Sequence, residues 1–319
     1  TKAAAEMPKA DPFAGALVDA PTGLVHYYQD RLKKWTYVTD DTGGKLLRGM
    51  FALATPLIAR VVDELPDGKE GEGRRIYAQK PNLGANGVTW SQEDYGHRGL
   101  QAEYLRLKSV QRFTEGWVAM QRAYNAGAFA HLMGEGAPAS ATLRIASLGG
   151  GPGFELVAAR AFCERYLPAV KLDLVSLDLA KEWQPCAEGL GLRFGVWDVN
   201  DGEGVLRAAG MQRIDLAIIS YVLYHYMSTE HCADWMARRI TANDIGNVMI
   251  ISRFEDLAAQ IRSVETRGVR VLKMMNQPRF SGRTCDDRQL LYASAQTPPL
   301  TPLPADQRVP TIFPNVPHE

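Results

Sequence analysis

Several things are absent from this chain of 319 residues, and each absence removes a class of function. It has no excess of charge: 36 Lys and Arg stand against 36 Asp and Glu. A neutral total gives no electrostatic case for nucleic acid or for a membrane surface. It has few cysteines, Cys163, Cys186, Cys232 and Cys285, with no two close enough to form a Cys-x-x-Cys motif. That scatter argues against a zinc site, a redox pair or a disulfide framework, so no metal is expected. Free thiols in a reducing compartment are the natural reading. The cytoplasm is favoured, with the mitochondrial matrix or another organelle as the alternative. No apolar run approaches the ~18 residues of a membrane-spanning helix. The first residue is Thr and not Met, consistent with a processed or trimmed chain.

The remaining composition is that of an ordinary soluble, intracellular globular protein, 46% hydrophobic and 23% charged. The length suits one large domain with extensions. Three regions are expected. Residues 1–140 form a mainly helical leader or lid, residues 141–296 an α/β domain, and residues 297–319 an extended tail. In the leader, a helix is expected over Gly23–Trp35 and another over Lys45–Glu64, kinked at Pro56. An exposed polar loop should follow at Asp67–Gly73. Ser91–Met133 reads as mostly helical, with Gly116 and Gly127 as points of division. A boundary loop falls at Gly134–Ser140.

From Thr142 short apolar runs alternate with helical segments. Strands are expected at Leu143–Leu148, Leu172–Leu177, Leu192–Val196, Ile214–Ile219, Asn247–Ser252, Val269–Met275 and Leu290–Ala295. Helices fit at Phe154–Tyr166, Lys181–Leu190, Glu203–Ala209, Glu230–Ile240 and Phe254–Thr266. Such alternation predicts right-handed crossovers and a parallel sheet. The last two strands share a polar loop, Asn276–Arg288, so the final strand should run antiparallel. Beyond it lie seven of the chain's 18 prolines. That tail can form neither helix nor central strand, and it is either a flexible end or an extended segment that packs on its own domain or on a partner protein.

The chemistry sits in Ile145-Ala146-Ser147-Leu148-Gly149-Gly150-Gly151-Pro152-Gly153, a strand running into a glycine turn and then a helix. The glycines permit positive φ and let backbone amides approach a ligand. The helix start adds free N–H groups. Asp178 ends the next strand, 25 residues after Gly153, against ~20 in dinucleotide folds. A carboxylate there can accept both hydroxyls of a ribose. Asp198, ending the third strand, can bond an adenine amino group, with Val199 lying on the ring. Ser220 and Tyr221 end the fourth strand at the floor of the same crevice.

On these residues the chain resembles the class I S-adenosylmethionine-dependent methyltransferases over Thr142–Ala295, about half its length. The resemblance implies a Rossmann-like seven-stranded sheet, order 3-2-1-4-5-7-6, with the last strand antiparallel. It implies S-adenosyl-L-methionine as cofactor, held by Ser147, Gly149, Gly150, Gly151, Gly153, Glu155, Asp178, Leu179, Asp198, Val199 and Ser220. It implies a methyl acceptor, a small molecule being slightly favoured. One position departs from the family. An acid usually stands two residues before the first glycine, where this chain has Ser147. Glu155, in the first helical turn, is a candidate substitute, with a bridging water as the alternative. Otherwise Glu155 is a first-turn charge favoured by the helix dipole.

Methyl transfer from a sulfonium needs mainly proximity and in-line geometry, so catalytic signatures are faint. Ser220–Tyr226 resembles the hydrophobic-His segment of small-molecule methyltransferases. His225 is the candidate general base, Tyr224 its neighbour, and Tyr221 a candidate substrate contact. The segment lacks the Asn/Asp-Pro-Pro-aromatic motif of enzymes acting on base or amide nitrogens. Lys171, Asp215 and Lys273 do not assemble a ribose-methyltransferase tetrad. Trp183 could cover adenine but suits the core better. Tyr27, Tyr28, Trp35 and Trp90 are leader aromatics of the same kind. Two other functions compete. A nicotinamide enzyme would carry the wider Gly-x-Gly-x-x-Gly spacing. A non-catalytic subunit of a larger assembly would explain Ser147, the long leader and the tail.

Overall fold

The computed structural model describes residues 17–19, 24–29, 33–38, 41–66, 68–79, 90–133, 141–222, 227, 229–251, 262–275 and 289–313. The chain opens with three short strands, β1 (Leu17–Asp19), β2 (Leu24–Gln29) and β3 (Lys33–Val38), paired antiparallel in that order. The helix expected over Gly23–Trp35 is therefore corrected to a hairpin, with Tyr27 opposite Trp35 and Val25 opposite Tyr37. The segment satisfies two periods at once. Its aromatic and β-branched residues alternate Val25-x-Tyr27 and Trp35-x-Tyr37, and such residues favour cross-strand pairing over helix.

Helix α1 (Asp41–Asp63) carries Pro56 within it. The polar stretch expected to be a loop at Asp67–Gly73 is also corrected. Helix α2 (Lys69–Gln79) begins inside it, with Glu70 and Glu72 in the first turn, where the helix dipole favours acids. A five-residue helix, α3 (Gln92–Gly96), starts from a capping box between Ser91 and Asp94. Then comes α4 (Arg98–Asn125), unbroken through Gly116. The gap at Gly116 is filled by α5: a Cβ there would lie 3.0 Å from the Glu155 Cα. Glycine thus buys close approach of two helices, at the cost of some intrinsic helix propensity. Gly127 lies just beyond the end of α4. The expected boundary loop at 134–140 lies outside the described residues.

The α/β region follows as β4 (Thr142–Leu148), α5 (Phe154–Tyr166), β5 (Lys171–Asp178), α6 (Gln184–Gly189), β6 (Arg193–Val196), α7 (Val205–Ala209), β7 (Ile214–Ser220), α8 (Glu230–Thr241), β8 (Ile245–Ile251), β9 (Val269–Met275) and β10 (Gln289–Ser294). The sheet order is β6-β5-β4-β7-β8-β10-β9. Numbered within the domain this is 3-2-1-4-5-7-6. Strand β10 is antiparallel to both neighbours, and the pairs from β6 to β8 are parallel. The fold is Rossmann-like α/β, as expected. The region of the expected helix before β9 is described only from residue 262, and the loop at 276–288 lies outside the described residues.

Strand alternation sends side chains to two cores. Leu143, Ile145, Leu216, Ile218, Met249 and Ile251 pack with α1, α4 and α5. Ala146, Leu148, Ala217, Ile219, Val248 and Ile250 pack with α7 and α8. Both faces are covered, as a parallel sheet requires. The leader is thus a layer of the fold: α4 lies on α5 and holds α1 and α2. The described tail, through Phe313, packs on the lower end of α4. Leu303 and Val309 donate their N–H groups to Asn125, and Phe313 meets the Trp117 ring edge-on. Among the described residues no helix is long and apolar enough to cross a membrane.

Candidate active site

The chain leaves β4 for β5 and β6, then returns to β7 on the other side of β4. That reversal opens a crevice outside the carboxyl ends of β4 and β7, where ligands bind in open α/β sheets. The glycine loop forms its lip. Gly149, Gly151 and Gly153 all have positive φ, at 69°, 51° and 85°. Gly149 and Gly150 donate their N–H groups to the Leu177 carbonyl at 2.8 and 3.1 Å. A Cβ on Gly150 would lie 2.5 Å from the Ser147 hydroxyl, so only glycine closes the turn there.

Asp178 ends β5 beside this loop. Its carboxylate accepts from the Gly151 and Ala180 N–H groups at 2.8 and 2.9 Å. Burial pushes its pKa up to about 6, against the opposing effect of these backbone donors. Beyond it lies a shelf. Leu179 and Val196 are 43% and 55% exposed, and only Leu53 joins them as an exposed large hydrophobic among the described residues. Asp198 is half-buried and accepts from the N–H and side-chain amide of Asn200. Val199 packs at the edge of the core.

On the other side of the loop, Ser147 donates a short hydrogen bond to Glu155. Glu155 is 2% exposed. Burial raises its pKa, and the Ser147 hydroxyl and the charge of Arg112 oppose the rise. A carboxylate thus stands beside the position where the sequence offers only a hydroxyl. Ser220, at the end of β7, is buried, and its hydroxyl has no hydrogen-bond partner among the described residues. Tyr221 follows with φ 60°, a left-handed conformation costly for an aromatic residue.

Tyr221 is held from α4. Its hydroxyl donates to Glu115 at 2.8 Å, and the Arg112 guanidinium lies 4.0 Å over its ring. Glu115 is fully buried and also accepts from Arg112 and Gln111, each at 3.1 Å. The Arg112 charge also acts on the buried Tyr104 hydroxyl. Burial works to lower the Arg112 pKa, but Tyr104, Glu115 and Tyr221 outweigh it and hold the guanidinium charged. Tyr104 packs on Trp183, 5.3 Å between centroids, and Trp183 backs Gly151 from within the core.

The structure therefore brings Ser147, the four glycines, Glu155, Asp178, Leu179, Asp198, Val199, Ser220 and Tyr221 to one edge of the sheet. Tyr224 and His225 lie outside the described residues. So do the side chains of Tyr27, Tyr28 and Trp35; Trp90 is buried against Tyr77. Asp215 sits at the opposite end of the sheet, bonded to Arg144. Cys163, Cys186 and Cys232 are buried, and the described residues hold no cluster of metal-binding side chains. Arg112 and Glu115 went unnoticed in the sequence, and Tyr104 counted there only as part of an apolar stripe. The available signal was polar residues falling on the same helix turns as the apolar stripe.

No family model matches the sequence, and no curated protein matches it. Solved structures do resemble the chain. A Listeria monocytogenes protein described as a class I S-adenosylmethionine-dependent methyltransferase is 10% identical over 80% of this chain and 90% of its own, with a TM-score of 0.44. TrmN from Thermus thermophilus is 14% identical over 49% of this chain and 45% of its own, with a TM-score of 0.35. The CurJ carbon methyltransferase is 11% identical over 84% of this chain and 76% of its own, with a TM-score of 0.36. Likeness at this level carries no chemistry across. Any chemistry must come from the chain's own strand order and crevice.

Proposed function

We propose that the protein is an S-adenosylmethionine-dependent methyltransferase, with a small molecule as the favoured methyl acceptor. The observation that carries this is the coincidence, along one sheet edge, of a tight glycine loop, Asp178, the exposed shelf of Leu179 and Val196, and Glu155 beside Ser147. Each matches one part of the cofactor. Asp178 faces a ribose, Leu179 and Val196 offer a dry surface to a purine, and Asp198 bonds its amino group. Glu155 supplies the negative charge for an ammonium. The buried, unpartnered Ser220 hydroxyl adds a polar group awaiting a ligand.

When bound, the cofactor supplies an electrophilic methyl group on a sulfonium. The chain's part is to hold that group in line with an acceptor and to exclude water. Tyr221 stands at the end of β7 in a strained conformation, fixed by Glu115 and Arg112, as a wall of the acceptor side. His225 is the proposed base for acceptors that carry a proton, with Tyr224 beside it.

The alternative, a non-catalytic subunit, drew on Ser147, the long leader and the tail. Glu155 beside Ser147 and the tail's packing on α4 both weaken its motive. Isothermal titration with S-adenosylmethionine tests the proposal. Saturable heat that Asp178→Ala abolishes is expected. No heat at millimolar cofactor would end it.

A further inference from the structure

A cation largely withdrawn from water beside a ligand crevice is expensive unless something uses it. Arg112 is such a cation, its side chain 11% exposed. It belongs to the leader, yet it reaches the crevice: its guanidinium lies over the Tyr221 ring at the end of β7, and Tyr104, two turns earlier on α4, packs on Trp183 behind the glycine loop. One turn further along α4, Gly116 packs directly on Glu155, whose carboxyl feels the Arg112 charge. Glu115 takes one Nη, which orients the planar fork without consuming its five donors. Glu115 itself also has Gln111 and Tyr221 as donors, so it does not depend on Arg112 alone.

A second observation points to a ligand. Ser220 continues the strand parity of Leu216 and Ile218, which face α4 and α5. Its hydroxyl is buried on that same side and has no partner among the described residues. Next to an acid for an ammonium, the crevice thus holds an always-charged fork and a spare hydroxyl. Together these complement a zwitterion: one group for its positive end, two for its negative end.

We propose that Arg112, with the Ser220 hydroxyl, holds the α-carboxylate at the amino-acid end of S-adenosylmethionine, while Glu155 holds the ammonium. This rests on the cofactor reading above and assigns a leader residue to that site. It makes the leader part of the cofactor site, where sequence had suggested only a lid. A guanidinium suits the task because its fork matches a carboxylate in two parallel bonds.

The test compares two nucleosides that differ only in the carboxylate: S-adenosylmethionine and decarboxylated S-adenosylmethionine. The unaltered full chain is expected to bind the first roughly 10- to 100-fold tighter, the range for a charge-assisted bond. Arg112→Met should lose that preference by weakening S-adenosylmethionine alone. Glu155→Gln should weaken both nucleosides, because both keep the ammonium. Arg112→Met leaves Glu115 without its cation, so the double variant Arg112→Met/Glu115→Gln serves as a second measurement, with the same loss of preference expected. Equal affinities in the unaltered protein would overturn the proposal and leave the cofactor reading standing. So would a parallel loss of both nucleosides in Arg112→Met, which would mark Arg112 as a support for the crevice walls. Failure of the unaltered chain to bind either nucleoside would overturn both the proposal and the cofactor reading.

Discussion

Helix α4 is one element with two different halves. From Tyr104 to Glu115 it carries the buried Lys108, Gln111 and Glu115 and the mostly buried Arg112, of which Glu115 and Arg112 meet Tyr221 at the end of β7. From Trp117 to Asn125 it is an aromatic surface. Trp117 meets Phe162, Tyr166 and Phe313 edge-on, and Tyr124 meets Phe162 and Tyr166. Asn125 clamps the tail through both of its side-chain polar atoms, to the Val309 N–H and carbonyl. The upper half carries groups whose burial costs free energy, which is the mark of a site. The lower half carries groups whose burial supplies it.

If the halves differ in this way, substitutions in each should move different observables. Trp117→Ala should have the largest effect, a loss of about 3–5 kcal/mol of stability from the cavity left behind. Denaturant unfolding measures it, and cofactor affinity of the remaining folded protein should be unchanged. A drop in affinity as large as the drop in stability would erase the distinction.

Gly116 is the seam. A Cβ there already presses on Glu155, so Gly116→Val should push α5 away. Overpacking of this kind costs about 1–3 kcal/mol. Here both observables should fall together, which unfolding and titration on the same sample would show.

Glu155→Ala should do the reverse of Trp117→Ala. Cofactor affinity should drop roughly 10- to 100-fold, as for loss of a charge-assisted bond. Stability near neutral pH should hold or rise, because a carboxylate whose pKa is raised by burial opposes folding when ionised. A clear destabilisation would show that Glu155 is structural.

Asn125→Ala should cost about 1–3 kcal/mol through the tail's unpaired backbone groups. Limited proteolysis should then cut the tail sooner, with cofactor affinity intact. The smallest effect is expected from pH. Asp178 has its pKa raised to about 6 by burial, so its charged form is fully present only above that value. Affinity for S-adenosylmethionine should fall about tenfold per unit as pH drops below 6, and Asp178→Asn should flatten that slope. Linkage runs the other way for folding. A raised carboxyl pKa favours the folded state at low pH, and that contribution is lost as pH climbs from near 4 through about 6.

The α/β half was legible because its signals are local. Val269–Met275 and Phe154–Tyr166 have the expected boundaries, and the other described strands differ by one or two residues. A strand leading into glycines and a helix can be read within ten residues. Asp178 could be placed because a parallel strand that ends beside β4 puts its last residue at the loop. The leader was harder. The hairpin of β2 and β3 hid behind apolar spacing that suits a helix as well, and α2 hid behind its glycines and charges.

By itself, the sequence determined the order of strands and helices in the α/β region, the glycine turn that only glycine can make, and the acids at the ends of β5 and β6. These follow from backbone sterics and side-chain periodicity, which act over a few residues. Tertiary structure alone decided that Glu155 would stand beside Ser147, that the tail would close on Asn125, and that Arg112 would reach the crevice from a helix more than thirty residues upstream of the loop. A buried Arg and a solvated one read alike in sequence. Only the packing of α4 on α5, through Gly116, shows which one this is.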